Sequence, residues 1–450
     1  MNDHPPVDVA AVIDAAPFGP LCWWVSSLSF IIIIADGFDI QSVAFVAPAL
    51  AAEWSLRREL LGPVLTASIL GMAVGSVTLG WLGDRVGRKT SFCICVALLA
   101  LGSLASSGAD GLTALTLYRF LTGVGLGGAA PLAAALIAEW TPRRWRGLAV
   151  AVVIVAVPLG GIIGAALAQR LIPLYGWRSV FLVGAVIPLA LLAVAWTQLP
   201  ESPKYLASRP DRAGELAHLL NRLLQEKRYG GREEFAVVES EGARRGALID
   251  LVRRPYLATT LLLWAAFSCN TLVLYGFVNW LPTVLSSAGA SLRSALNGSL
   301  VFNFGGLFGA IGGSVLIGRY GSRIVGSSIA LGGAAAALLI GRVSFSGAQL
   351  HADALLLLAL VAVAGASLNG MQAFLYAVAA HSYPTPIRAS GVGSASAVSR
   401  VGGALSSAVG SALFALGLQS TTFFYILGSI ALATTLSFFL LRRHIPPPQH

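Results

Sequence analysis

The sequence predicts an all-α membrane protein with twelve transmembrane helices in two pseudo-symmetric six-helix bundles. Three observations predict it. Of the 450 residues, 56% are hydrophobic and only 11% charged, against roughly 25% charged in a soluble domain. Apolar runs of bilayer-crossing length recur along the chain. The two halves echo one another on either side of a polar stretch from Pro200 to Arg254.

Taken in order, residues 1–20 read as a tail, acidic and proline-rich, without the basic start of a cleavable signal. The first bundle, 21–199, places spans near 21–50, 60–82, 90–109, 112–138, 147–170 and 178–199. The connector, 200–254, contains a leucine-rich segment at 216–224 with the spacing of a short amphipathic helix. The second bundle, 255–441, places spans near 256–285, 294–318, 323–342, 354–380, 388–414 and 420–441, and a second tail covers 442–450. The echo lies in the loops. Gly83-Asp84-Arg85-Val86-Gly87-Arg88-Lys89 follows span two, and Ile317-Gly318-Arg319-Tyr320-Gly321-Ser322-Arg323 follows span eight. Pro142 and Arg146 precede span five as Pro384 and Arg388 precede span eleven. Halves repeated in parallel are a transporter signature, with the substrate site between them near the midplane.

Basic residues crowd the loops after even-numbered spans, the connector and the C-terminal tail. The opposite loops hold Arg57, Arg58, Arg170, Arg178, Arg293 and Arg342. That bias puts both termini and the connector in the cytoplasm. The net charge of +10 is spread over these loops, so nucleic acid is not the expected partner. Cys22, Cys93, Cys95 and Cys269 lie in or beside apolar runs and read as small buried residues. The histidines form no ligand cluster, so neither a metal nor another cofactor is expected. No nucleophile–base pair points to an enzyme.

Only Asp36, Asp39, Arg119 and Arg400 place charge well inside spans. At 1.5 Å of rise per residue the aspartates lie about 22–27 Å from the cytoplasmic face, Arg119 about 20 Å and Arg400 about 18 Å. The four therefore share a level near the midplane, and Asp36 and Asp39, three apart, share a helical face. One reading is a structural network of two acids and two bases. The other is coupling. Burial and a nearby cation pull a carboxylate's proton affinity in opposite directions, so Asp36 and Asp39 can carry a proton linkage. Arg119 or Arg400 can hold a substrate carboxylate by a bidentate pair. In the second half, Asn270, Tyr275, Asn303, Asn369 and Gln372 are the intramembrane polar groups, with Trp280, Phe302, Phe304 and Tyr376 nearby. Such a cavity suits a small planar organic acid, although each asparagine serves equally well as an interhelical hydrogen-bonding group. Trp23, Trp24, Trp54, Trp177 and Trp280, near span ends, read as interface anchors.

The glycines from Gly123 to Gly128 lack the preceding strand of a dinucleotide loop and read as helix packing. Gly83 to Lys89 is more specific, a glycine-permitted turn holding Asp84 among Arg85, Arg88 and Lys89. It resembles the loop signature of the major facilitator superfamily, as do Pro200-Glu201-Ser202-Pro203 and Arg119 followed by Gly123 and Gly125. Asp36-Gly37-Phe38-Asp39 is similar to the span-one element of the aromatic acid:proton symporter family. So are Trp280-Leu281-Pro282-Thr283, Asn369-Gly370-Met371-Gln372, and Tyr383-Pro384-Thr385 leading through Arg388 to Arg400-Val401-Gly402. The resemblance implies a monomeric bacterial inner-membrane symporter importing protons with a benzoate- or hydroxybenzoate-like acid by alternating access. It implies proton-coupling roles for Asp36 and Asp39 and substrate roles for Arg119 and Arg400. It also implies a conformational latch of Gly83, Asp84, Arg85, Gly87, Arg88, Lys89, Glu139 and Arg388. Gly318 departs from the pattern by removing an acid before Arg319, which predicts a weaker second latch. Span five carries Val157-Pro158-Leu159-Gly160-Gly161, only part of the antiporter string, which argues for symport. Other organic acids, nicotinate, sugar acids, drug-like efflux substrates and a transporter-like receptor are the alternative readings.

Overall fold

The computed structural model describes residues 6–231, 233–236, 248–343, 353–441 and 443–445. A strand β1 (Val7–Asp8) and a short helix α1 (Val9–Ala15) precede the first bundle. That bundle comprises α2 (Pro20–Glu53), α3 (Leu61–Val86), α4 (Arg88–Ser107), α5 (Leu112–Trp140), α6 (Arg143–Tyr175) and α7 (Arg178–Gln198). The connector holds α8 (Pro203–Ala207), α9 (Ala213–Leu224), β2 (Phe235–Ala236) and α10 (Leu248–Leu251). The second bundle comprises α11 (Leu257–Ser287), α12 (Leu292–Tyr320), α13 (Ser322–Ile340), α14 (Ala354–Ser382), α15 (Thr385–Ala415) and α16 (Ser420–Leu440). Among the described residues, eleven of the twelve bundle helices are long and apolar enough to cross a membrane. The exception, α15, is rich in glycine and serine and carries Arg388 and Arg400. Its polar character fits a helix packed against α11 and α3 rather than facing lipid all round.

Small residues set how closely the helices approach. A Cβ on Gly75 would lie 1.9 Å from Val124 O, and one on Gly123 2.2 Å from Ser68 O, so α3 and α5 meet backbone to backbone. In the second bundle, a Cβ on Gly309 would lie 1.9 Å from Ala366 O, bringing α12 against α14 in the corresponding place. Gly160, from the partial span-five string, does the same for α6 and α2, where a Cβ would lie 2.1 Å from Ile34 O.

The bundles are hydrogen-bonded to each other in the half remote from the connector. Gln41 and Asn303 exchange both carboxamide bonds, at 2.9 and 2.8 Å. Gln169 donates to Asn297 at 2.9 Å, and Ser411 Oγ to Glu59 O at 2.5 Å.

Two expectations need correction. Trp177 and Trp280 are not interface anchors, since both are fully buried. Trp177 packs edge-on against Trp54 and Phe181, and Trp280 against Phe414. The N-terminal segment is also more than a tail. β1 pairs in parallel with β2 of the connector. Val9 and Ile13 of α1 share a buried cluster with Leu216, Leu220 and Leu223 of α9, the amphipathic helix expected there.

Candidate functional site

The four intramembrane charges divide into two unlike pairs. Asp39 and Arg119 form one buried ion pair, Arg119 Nη2 to Asp39 Oδ2 at 2.7 Å, with side chains 1% and 0% exposed. Around it, Arg119 donates to Asp39 O at 3.1 Å and to Ser68 Oγ at 3.4 Å, and Ser103 Oγ donates to Asp39 Oδ1. The Phe181 ring lies under the guanidinium at 5.4 Å. Helices α2, α3, α4, α5 and α7 each contribute to this knot, which lies inside the first bundle.

Asp36 is different. It is buried, and its Oδ1 finds no hydrogen-bond donor among the described residues. Arg400, on α15 of the other bundle, is half-buried and within electrostatic range of both Asp36 and Tyr275, without a direct ion pair among the described residues. A carboxylate and a guanidinium on opposite bundles therefore lie within electrostatic range of each other, without a direct ion pair among the described residues. A buried charge without a partner is costly, so Asp36 and Arg400 are candidates for neutralisation by a proton and by an anion.

The second bundle supplies the remaining intramembrane polar groups. Asn270 Nδ2 donates to Gln372 Oε1 at 2.8 Å, and Thr271 Oγ1 to the same oxygen at 3.3 Å. This leaves the Gln372 amide nitrogen outside that network. Tyr376 packs on Phe267 and shares a 3.1 Å hydrogen bond with Ser396. Asn369 is turned to Gly365 O at 3.0 Å, against Gly306. Asn303 is engaged with Gln41 and Ser299 O. Phe302 is core, stacked on Phe277, and Phe304 is exposed on the outer surface.

At the connector end, the charged turn after α3 is tied to α5 and to the segment after α7. Arg88 Nε binds Glu139 Oε1 at 2.8 Å and its Nη2 reaches Asp84 at 3.3 Å. Ser202 Oγ donates to the other Glu139 oxygen. Gly87, at φ 104°, holds a backbone shape that favours glycine, and a Cβ there would meet Glu201 at 2.2 Å. Gly83 meets Leu132 in the same way. Glu201 Oε1 accepts from Lys89 N at 2.9 Å and from Ser202 N at 2.8 Å. Arg85 stacks on Trp81 at 4.0 Å, and Arg388 reaches Tyr383 O at 3.4 Å, with no ion pair to this cluster among the described residues.

Sequence reasoning missed several partners. Glu201 stood in a quoted string without a role. Gln41 was detectable as an amide inside an apolar span, two residues after Asp39. Ser68 and Ser103 gave no signal, because an isolated serine in a membrane helix ordinarily bonds its own backbone.

The Gln41–Asn303 exchange yields a direct test. Gln41→Ala leaves a buried amide short of partners, a loss of about 1–3 kcal/mol. The bundles should then part more often at the end remote from the connector. A cysteine at Thr283, a buried residue beside that seam, should label several-fold faster in Gln41→Ala than in the parent. An unchanged rate would mean that this pair does not hold the seam.

Comparison with known proteins adds the following. A sequence profile of the Major Facilitator Superfamily matches residues 29–350. The chain is 36% identical to a gallate transporter of Pseudomonas putida, over 96% of this chain and 94% of that one. It is 35% identical to a 4-hydroxybenzoate transporter of Pseudomonas aeruginosa, over 91% and 90%. It is 29% identical to a benzoate transport protein of Acinetobacter baylyi, over 98% and 95%. Among solved structures, the xylose transporter of E. coli in a partially occluded inward-open conformation superposes with a TM-score of 0.73 at 16% identity, covering 95% of this chain and 99% of that one.

Proposed function

This chain belongs to the major facilitator superfamily, and on that premise we propose that it is a proton-coupled symporter importing a small aromatic carboxylate. It is a multi-pass membrane transporter, not an enzyme. The observation that carries the reading is the couple of Asp36 and Arg400, on opposite bundles, with no direct ion pair among the described residues and with Tyr275 in electrostatic range of both. The substrates named for its relatives, gallate, 4-hydroxybenzoate and benzoate, are aromatic acids. An arginine supplies a bidentate partner for such a carboxylate, and tyrosine supplies a ring face.

In this mechanism Asp36 takes the proton and Arg400 the carboxylate. With both compensated, the bundles rock about the site. The Asp39–Arg119 pair keeps α2 in register with α5 and links the proton site to the rest of the first bundle. The cluster of Asp84, Arg88, Glu139 and Glu201 holds one end and releases during the cycle. Closure at the seam of Gln41 and Asn303, with termini and connector in the cytoplasm of a bacterial inner membrane, supports an inward-facing state. The protein acts as a monomer, with one site between its own bundles.

The test is uptake of labelled 4-hydroxybenzoate by purified protein in proteoliposomes under an inward proton gradient. Accumulation should collapse with an uncoupler, and gallate and benzoate should compete while a sugar acid does not. Uptake indifferent to the gradient would overturn the coupling, and preference for the sugar acid would overturn the substrate class.

A further inference from the structure

At the connector end, α2 and α6 leave between them a cavity of about 500 Å³. Its walls are Trp23, Phe30, Trp145 and Leu148, with Ser26 between them, and its roof is Phe18. Phe18 stands edge-on to Trp23 at 5.1 Å and tilted on Trp145 at 6.0 Å. It is held there by the N-terminal segment. Asp14 accepts from Arg143 N at 2.9 Å and pairs with Arg146 at 3.2 Å. The outer walls face away from the protein, with Trp23 63% and Leu148 62% exposed. From Trp23 to Phe30 the slot runs ~10 Å along α2.

Two polar features make this more than a greasy surface. Arg144 lies one turn before Leu148 on the same helical face, at the cavity's rim. Arg143 and Arg144 are exposed and pair with no acid among the described residues, since Asp14 takes only the Arg143 backbone and the Arg146 side chain. Within the slot, Ser26 Oγ is buried and has no hydrogen-bond partner among the described residues. The cavity thus offers aromatic and aliphatic walls, with unpaired guanidinium groups one turn away on the same helix.

We propose that this cavity binds one anionic phospholipid. The phosphate sits at Arg144 and Arg143, and an acyl chain lies against Trp23, Phe30 and Leu148. Charge complementarity selects the headgroup, because unpaired basic side chains at a helix end attract anionic lipid. The roof selects a single chain, because Phe18 closes the slot from the aqueous side. The occupant joins α2 to α6 and pins the N-terminal segment over both. The site is separate from the transport pathway and stands whether or not the transported acid is aromatic.

Native mass spectrometry of the purified full chain, with phosphatidylglycerol and phosphatidylcholine added in equal amounts, tests the proposal. Phosphatidylglycerol should be retained several-fold over phosphatidylcholine. The preference should vanish in the doubly substituted Arg143→Gln/Arg144→Gln protein and persist in Arg57→Gln/Arg58→Gln at the opposite end. Brominated phosphatidylglycerol should quench tryptophan fluorescence of the unsubstituted protein saturably, and less so in Trp145→Phe. Equal retention of the two lipids, or a preference that survives loss of Arg143 and Arg144, would overturn it. If the doubly substituted protein does not fold, the quenching titration decides: saturation with the anionic lipid alone supports the site, and equal, linear quenching by both lipids refutes it.

Discussion

Arg119→Ala is expected to abolish uptake and to destabilise the protein by about 3–5 kcal/mol, the cost of leaving a buried charge without its partner. The magnitude follows from burial. Asp39 and Arg119 are 1% and 0% exposed, so water cannot replace the guanidinium. The substitution also empties the space above Phe181 and frees Ser68. Asp39→Asn alone should leave the guanidinium uncompensated and be nearly as damaging. The double substitution Asp39→Asn/Arg119→Gln should recover much of the thermal stability, because the buried charge is gone, while uptake stays lost. Arg119→Lys should not rescue, because one ammonium cannot serve Asp39 Oδ2, Asp39 O and Ser68 together. Thermal unfolding in detergent, read beside uptake, checks each variant. A parent-like melting temperature for Arg119→Ala would refute a stabilising role for this pair.

Arg400→Gln should behave in the opposite way. Arg400 makes no ion pair among the described residues that its loss would break, so stability should change by less than about 1 kcal/mol. A charge-assisted hydrogen bond is worth about 1.5–3 kcal/mol. The KM for the aromatic acid should therefore rise by about 10–100-fold, and an uncharged ester of the same acid should lose its disadvantage. Arg400→Lys should recover part of the affinity. Uptake with an unchanged KM would remove Arg400 from the substrate site and leave Gln372 and Tyr275 as the polar contacts to test.

These two arginines show where sequence reading stops. Both were visible as intramembrane charges at a common depth, and both were open candidates for the substrate. Rise per residue gives depth along a helix axis. It does not give the rotation of that helix or the identity of its neighbours, and those decide partners. Arg119 is turned into its own bundle, where Asp39, Ser68 and Ser103 surround it. Arg400 lies within electrostatic range of Asp36 on the other bundle, without an ion pair among the described residues. Asn303 illustrates the same limit. As an intramembrane amide it read equally as a ligand contact or an interhelical bonding group, and its partner Gln41 lies 262 positions away in sequence. The tail was misread for a related reason. Two residues of strand are too few to leave a periodic pattern, and the pairing of Val7 with Phe235 is wholly nonlocal.

The sequence alone determined the membrane class, the repeated bundles, the charged turn at Gly83–Lys89 and the short list of buried charges. Hydropathy, glycine content and charge are local quantities that sum along a chain, so they can be read without coordinates. Tertiary structure alone decided that Asp39 and Arg119 pair with each other while Asp36 and Arg400 make no ion pair among the described residues. The reason is that which charges come into contact depends on how the helices pack, and the knot around Asp39 and Arg119 takes a residue from each of five helices.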